Sequence, residues 1–142
     1  MGIWGVYSDR HGGIDLAGDR ASVRGLAAAL ADWSRRTLVL DPPPPSWLAD
    51  DTAALSEIRC VPSDDPAGLI VLRREGAALV IEGGSEVGRI FGGGISRLAE
   101  GPYRTSGVRT HIHLNPTTDP EHTIYSPEST VEVSVALSDE QA

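Results

Sequence analysis

Two histidines separated by a single residue are the most chemically loaded feature of this sequence. In Thr110-His111-Ile112-His113-Leu114-Asn115-Pro116 polar and apolar residues alternate strictly, the period of a half-buried β-strand. Successive residues of a strand face opposite sides, so His111 and His113 share one face while Thr110, Ile112 and Leu114 take the core side. Two imidazoles on one face are the beginning of a transition-metal site, most naturally for zinc. Zinc wants a third or fourth ligand, for which His122, Glu121 and Glu82 are the candidates, and no spacing selects among them. The plainer reading of the same face is that it is solvated.

Two further groups invite a chemical reading. Gly92-Gly93-Gly94 falls inside a helical pattern, where each glycine costs about 0.5–1 kcal/mol relative to alanine. A phosphate-cradling loop would follow a strand and open a helix beside a lysine, and this triplet does neither. Close backbone packing against another helix or a tryptophan is the ordinary explanation; a kink opening a groove for a partner is the functional one. Asp15 and Glu82 sit at related places on two strands and could pair their carboxylates. The candidate binding residues are therefore His111, His113, Glu82, Gly92, Gly93 and Gly94. No Gly-x-Ser-x-Gly elbow and no His-Glu-x-x-His helix occurs, so no catalytic residue is assigned.

The elements that must position these residues follow from periodicity. Ile3 to Tyr7 and Ile14 to Ala17 read as strands around the turn Ser8 to Gly13, where His11 is solvent-exposed. Asp19 is an N-cap candidate for a helix whose apolar stripe is Val23, Leu26, Ala27, Leu30 and Trp33. Leu38-Val39-Leu40 is a short strand. Pro42 to Pro45 form a stiff polyproline II connector, and Ser46 caps a short helix carrying Trp47, Leu48, Ala54 and Leu55. Glu57 to Val61 is a strand, Leu69 to Leu72 and Leu79 to Glu82 form a hairpin, and Gly83-Gly84-Ser85 opens a second helix. That helix carries Val87, Ile90, Phe91, Ile95 and Leu98 and stops at Glu100-Gly101-Pro102. Val131, Val133, Val135 and Leu137 mark a last strand.

An internal duplication organises this list. Pro62-Ser63-Asp64-Asp65-Pro66 before Ile70 matches Pro116-Thr117-Thr118-Asp119-Pro120 before Ile124 without a gap, aligning Ile58 with Ile112 and Cys60 with Leu114. His111 and His113 then answer to Glu57 and Arg59, so that face is polar in both copies. The expected fold is α+β: a tandem strand-strand-helix-strand repeat in one antiparallel or mixed sheet, with two helices packed on one face. A single domain over 1–142 would comprise repeats at about 1–66, with a Pro-rich insertion at 34–56, and about 67–138, then a polar tail at 139–142.

Charge and cysteine content bound the partners. Asp and Glu number 20 against 12 Arg and Lys, giving −8, and every cation is arginine. With no Lys/Arg cluster to neutralise phosphates, neither nucleic acid nor an anionic membrane surface is expected, while a basic protein partner would suit. Cys60 stands alone, so no intramolecular disulfide forms, and it reads as a small core residue. No signal peptide and no membrane-length apolar run are visible, and a soluble cytoplasmic domain is expected.

Leu79-Val80-Ile81-Glu82-Gly83-Gly84-Ser85, the helix ending Leu98-Ala99-Glu100, the His111-Ile112-His113-Leu114 strand, and Ser129 before Val131-Glu132-Val133 together resemble one family. They are similar to the immunity proteins of bacterial polymorphic toxin systems, in the family known as immunity protein thirty-two; the glycine triplet departs from that family's Leu- and Ala-rich helix. The resemblance covers the second half of the chain. It implies a non-catalytic protein that binds and neutralises a toxin domain inside the producing cell. The competing readings are a small metal- or ligand-binding enzyme of a biosynthetic cluster using the His111/His113 face, and a scaffold that forms a homodimer through a free sheet edge.

Overall fold

The chain opens with a hairpin: β1 (Ile3–Tyr7) pairs antiparallel with β2 (Gly13–Gly18), with Gly12 at φ 64° in the turn. The computed structural model describes residues 2–10, 12–49, 51–100 and 124–138, together with the backbone of 111–114. Asp19 caps α1 (Arg20–Ala31), its Oδ1 accepting the Ser22 N–H at 2.7 Å. That hydrogen bond, then one from the Ser22 side chain, holds the Asp19 carboxyl below the usual carboxylate range. After α1 come β3 (Arg36–Val39), β4 (Ala53–Leu55) and β5 (Glu57–Pro62). A second hairpin follows, β6 (Val71–Glu75) and β7 (Ala78–Gly83), then α2 (Ser85–Glu100), β8 (His111–Leu114) and β9 (Glu132–Leu137).

The class is α+β, but the strands form two mixed sheets rather than the single continuous sheet expected. The first runs β4-β1-β2-β9-β8 and the second β3-β5-β7-β6. Each joins a hairpin from one half of the chain to two strands from the other, through one parallel pair. Gly13–Gly18 lies along Glu132–Leu137, and Ala78–Gly83 lies along Glu57–Pro62 in the same register. Neither half closes a sheet alone. Alternation in sequence fixes which face of a strand is buried and says nothing of its neighbour, which is why one sheet was expected.

The part of the duplicated alignment that sets Ile58 against Ile112 and Cys60 against Leu114 has no counterpart in this pairing. It matches β5 with β8, whereas β5 sits beside a hairpin strand as β9 does, and β3 holds the end position that β8 holds. Thr37 across from Arg59 is thus the positional counterpart of His113 across from Ser134. The second copy of the turn, 116–120, lies outside the described residues.

One hydrophobic core joins both inner sheet faces and both helices. Ile14, Leu16, Val133, Val135 and Leu137 meet it from the first sheet, and Ile58, Cys60, Leu72, Leu79 and Ile81 from the second. Each large side chain withdrawn from water contributes about 1.5–3 kcal/mol. Desolvation in this core pushes the Cys60 thiol up to about 11, so it is the inert core residue expected.

The helices run antiparallel and touch closely. The Arg20 guanidinium donates to the Ala99 carbonyl at 2.6 Å, a cation on the last turn of α2, and Arg24 meets Glu100 at 2.6 Å. At the other end Gly92 lies against the α1 backbone, where a Cβ would stand 2.9 Å from the Ala31 nitrogen and 3.2 Å from the Ala27 carbonyl oxygen. Gly88 lies against the Trp33 ring, whose Nε1–H donates to the Gly83 carbonyl at 2.8 Å. Ile90, expected on the buried stripe, is 54% exposed. The short helix expected after the proline run is a 3-10 turn at Pro45–Trp47, and Leu55 instead ends β4, which pairs with β1.

Candidate functional site

The two sheets present very different outer faces. On the second, Val80 lies between Arg59 and Arg73 on the flanking strands and is almost fully buried. Arg59 bridges Glu57 at 3.1 Å and Glu75 at 3.3 Å, while Arg73 bridges Glu75 at 3.3 Å and Glu82 at 2.5 Å. The charges are mutually satisfied, and both guanidinium groups are held above their ordinary range, chiefly by the hydrogen bonds to Glu57 and Glu82 respectively. This is a closed, solvated surface.

On the first sheet the outer positions are Trp4 and Val6 of β1, Asp15 and Ala17 of β2, and Ser134 and Ala136 of β9. The proline-rich segment folds back over them. Its start is tied to β1, with the Gly2 N–H donating to Asp41 Oδ2 at 2.9 Å and the Asp41 N–H to the Ile3 carbonyl at 2.8 Å. Its 3-10 turn closes through the Trp47 N–H on the Pro44 carbonyl at 2.9 Å, and sets the Trp47 ring edge-on to Trp4, centroids 5.9 Å apart. Between turn and sheet lies a shallow groove of about 440 Å3, lined by Asp15, Ser46, Trp47, Thr52, Ser134 and Ala136 among others. A smaller hollow of about 280 Å3 continues it beside Trp4, Pro44 and Ser138. Trp4 Nε1, buried at that end, has no hydrogen-bond partner among the described residues. In the groove, Ser134 Oγ donates to Asp15 Oδ1 at 2.5 Å.

β8 closes this sheet at its edge. Its register sets His111 across from Ala136 and His113 across from Ser134, both half-exposed positions, and Ile112 and Leu114 across from the buried Val135 and Val133. The expected alternation of this strand therefore agrees with the sheet it joins. The other anticipated residues scatter. Glu82 belongs to the second sheet and is engaged by Arg73, so it is not brought to the histidine strand or paired with Asp15. Gly92 serves helix contact, while a Cβ at Gly93 or Gly94 would meet nothing within 4 Å. The triplet thus sits inside an unbroken α2 and lines no described groove. Glu121 and His122 lie outside the described residues, as does His11. Among the described residues no three His, Cys, Asp or Glu stand close enough to hold a metal ion.

Trp47, Trp4 and the Asp15–Ser134 pair escaped the sequence reading. A tryptophan two residues past a stiff tetraproline was the available signal. Comparison with protein-family models, curated proteins and solved structures finds no match. No described helix is long and apolar enough to cross a membrane.

Proposed function

We propose that this is a non-catalytic binding protein that takes a basic protein partner on the outer face of the first sheet. The partner class we infer is a bacterial toxin domain, neutralised in the cytoplasm of the producing cell, as the sequence resemblance implies. The contrast between the two outer faces carries this reading. One is closed by its own ion pairs; the other offers the edge-on Trp4–Trp47 pair, the small Ala136 and the Asp15 carboxylate. Interface hot spots favour such aromatic anchors, and the net charge of −8 favours a basic partner and speeds its encounter.

The test is co-purification with the product of an adjacent toxin-like gene, together with growth protection in that pair. Trp47→Ala should weaken capture by about 30-fold or more, a loss of roughly 2 kcal/mol. Glu75→Ala on the opposite face should leave it unchanged. Capture indifferent to Trp47, or absent protection, would remove the proposal. A second copy pairing along the end strand β3, where Val39 is 71% exposed, is the homodimer reading, and the mass in solution separates it.

A further inference from the structure

We infer that the groove on the outer face of the first sheet receives an arginine side chain of the partner, its guanidinium on the Asp15 carboxylate and its methylene stem along Trp47 and Ala136. The inference rests on the binding face proposed above and names the contact that selects the partner. The carrying observation is a carboxylate that no arginine of the described chain answers. Asp15 lies on β2, the central strand of five, between Val6 of β1 and Ser134 of β9. Of the described residues lining the groove it alone is charged, and none of the ion pairs among the described residues includes it. The outer carboxylates of the second sheet, Glu57, Glu75 and Glu82, each hold an arginine of this chain.

Shape and chemistry then agree. The Ser134 hydroxyl donates to Asp15 Oδ1 at 2.5 Å and so holds the carboxylate in one orientation. It uses one of the roughly four lone-pair sites of a carboxylate, and the others remain for a group that only donates. A guanidinium is such a group: planar and permanently charged, it meets a carboxylate through two parallel N–H···O bonds. A lysine ammonium, a more strongly hydrated point charge, makes less of the same oriented acceptor. The groove, about 440 Å3, admits a whole side chain, and Trp47 and Ala136 give its stem apolar walls. Thr52, at the far wall, is already engaged, its Oγ1 accepting the Ala49 N–H at 2.7 Å. In the free chain Asp15 is exposed, so water solvates its charge until the partner arrives. A partner seated over the groove excludes that water and strengthens the pair, while an acidic side chain at the same place would be repelled.

The experiment is titration of the full chain with acetyl-arginine methylamide, followed by proton–nitrogen NMR, beside the lysine and the neutral citrulline counterparts. Saturable shifts are expected at the Asp15 and Ser134 amides and the Trp47 indole, weaker with lysine and absent with citrulline. Asp15→Asn, which preserves size and a hydrogen bond to Ser134, should weaken binding by tenfold or more, and Ser134→Ala by about fivefold. Glu132→Gln is the control: Glu132 is exposed on the same face of β9 but outside the groove, so its loss should leave binding unchanged. Melting curves confirm that each variant is folded. Citrulline binding as well as arginine, Asp15→Asn binding unchanged, or Glu132→Gln weakening it as much as Asp15→Asn would each overturn the inference. So would the absence of saturable shifts in the wild type. Toxin capture that depends on Trp47 but persists in Asp15→Asn would remove the arginine contact and keep the binding face. Arginine binding that depends on Asp15, in a chain that gives no toxin protection, would keep the contact and remove the toxin reading.

Discussion

Consecutive glycines of α2 should respond in opposite directions to the same substitution. Alanine at an exposed mid-helix glycine gains about 0.8–1 kcal/mol of helix propensity. At Gly93 the new methyl meets nothing within 4 Å, so Gly93→Ala should be stabilising by nearly that amount. At Gly92 the methyl would lie 2.9 Å from the Ala31 nitrogen and 3.2 Å from the Ala27 oxygen, both backbone atoms of α1 that cannot rotate away. The helices must separate, and overpacking of this kind costs about 1–3 kcal/mol. The two variants should therefore differ by about that cost, with Gly92→Ala the less stable. At roughly 4 °C per kcal/mol for a chain of this size, their melting midpoints should lie roughly 4–12 °C apart. Calorimetric melts and urea titrations with unchanged m-values would measure this directly. Equal stabilisation by both substitutions would refute the close helix contact as the reason for the triplet.

Gly84→Ala should destabilise by about 3 kcal/mol or more in urea unfolding, because its Cβ would fall 2.2 Å from the carbonyl oxygens of Asp65 and Pro66. Asp19→Ala should cost about 1 kcal/mol at neutral pH. The folded Asp19 carboxyl is shifted down, so its contribution is full above the unfolded value of about 3.9 and fades as pH falls through the lower folded value. The stability gap to Asp19→Ala should narrow in that acid window, and a gap that widens there would contradict the cap. Cys60 should resist thiol reagents at pH 8 in the folded protein and react at once in denaturant, because burial raises its thiol to about 11. Rapid labelling without unfolding would place it outside the core.

Much of the local structure was legible because it follows from nearest-neighbour chemistry. Asp19 before an apolar 3.6-residue stripe marked α1, and Gly83-Gly84-Ser85 marked the break between β7 and α2. Ile90 shows the limit of that reading. It fits the stripe by spacing, but the buried arc of α2 ends at Val87, Phe91 and Ile95, leaving Ile90 in solvent. Ala53–Leu55 shows another: three apolar-leaning residues suit a helix equally well, and only the free edge of β1 makes them a strand. The candidate site was half legible. The histidine pair announces itself by spacing, while Asp15 and Ser134, 119 residues apart, become partners only through the β2–β9 pairing.

By itself, then, the sequence determined the α+β class, the elements and the buried face of most strands, because alternation and helical periodicity are local properties. It also determined that His111 and His113 share a face. The tertiary structure decided the rest: two sheets in place of one, each stitched from both halves of the chain, and a proline-rich segment laid over one of them. It removed Glu82 to the opposite sheet and set Asp15 in the histidine row. Those outcomes depend on which strands meet across long stretches of chain, and no residue pattern within a single strand carries that choice.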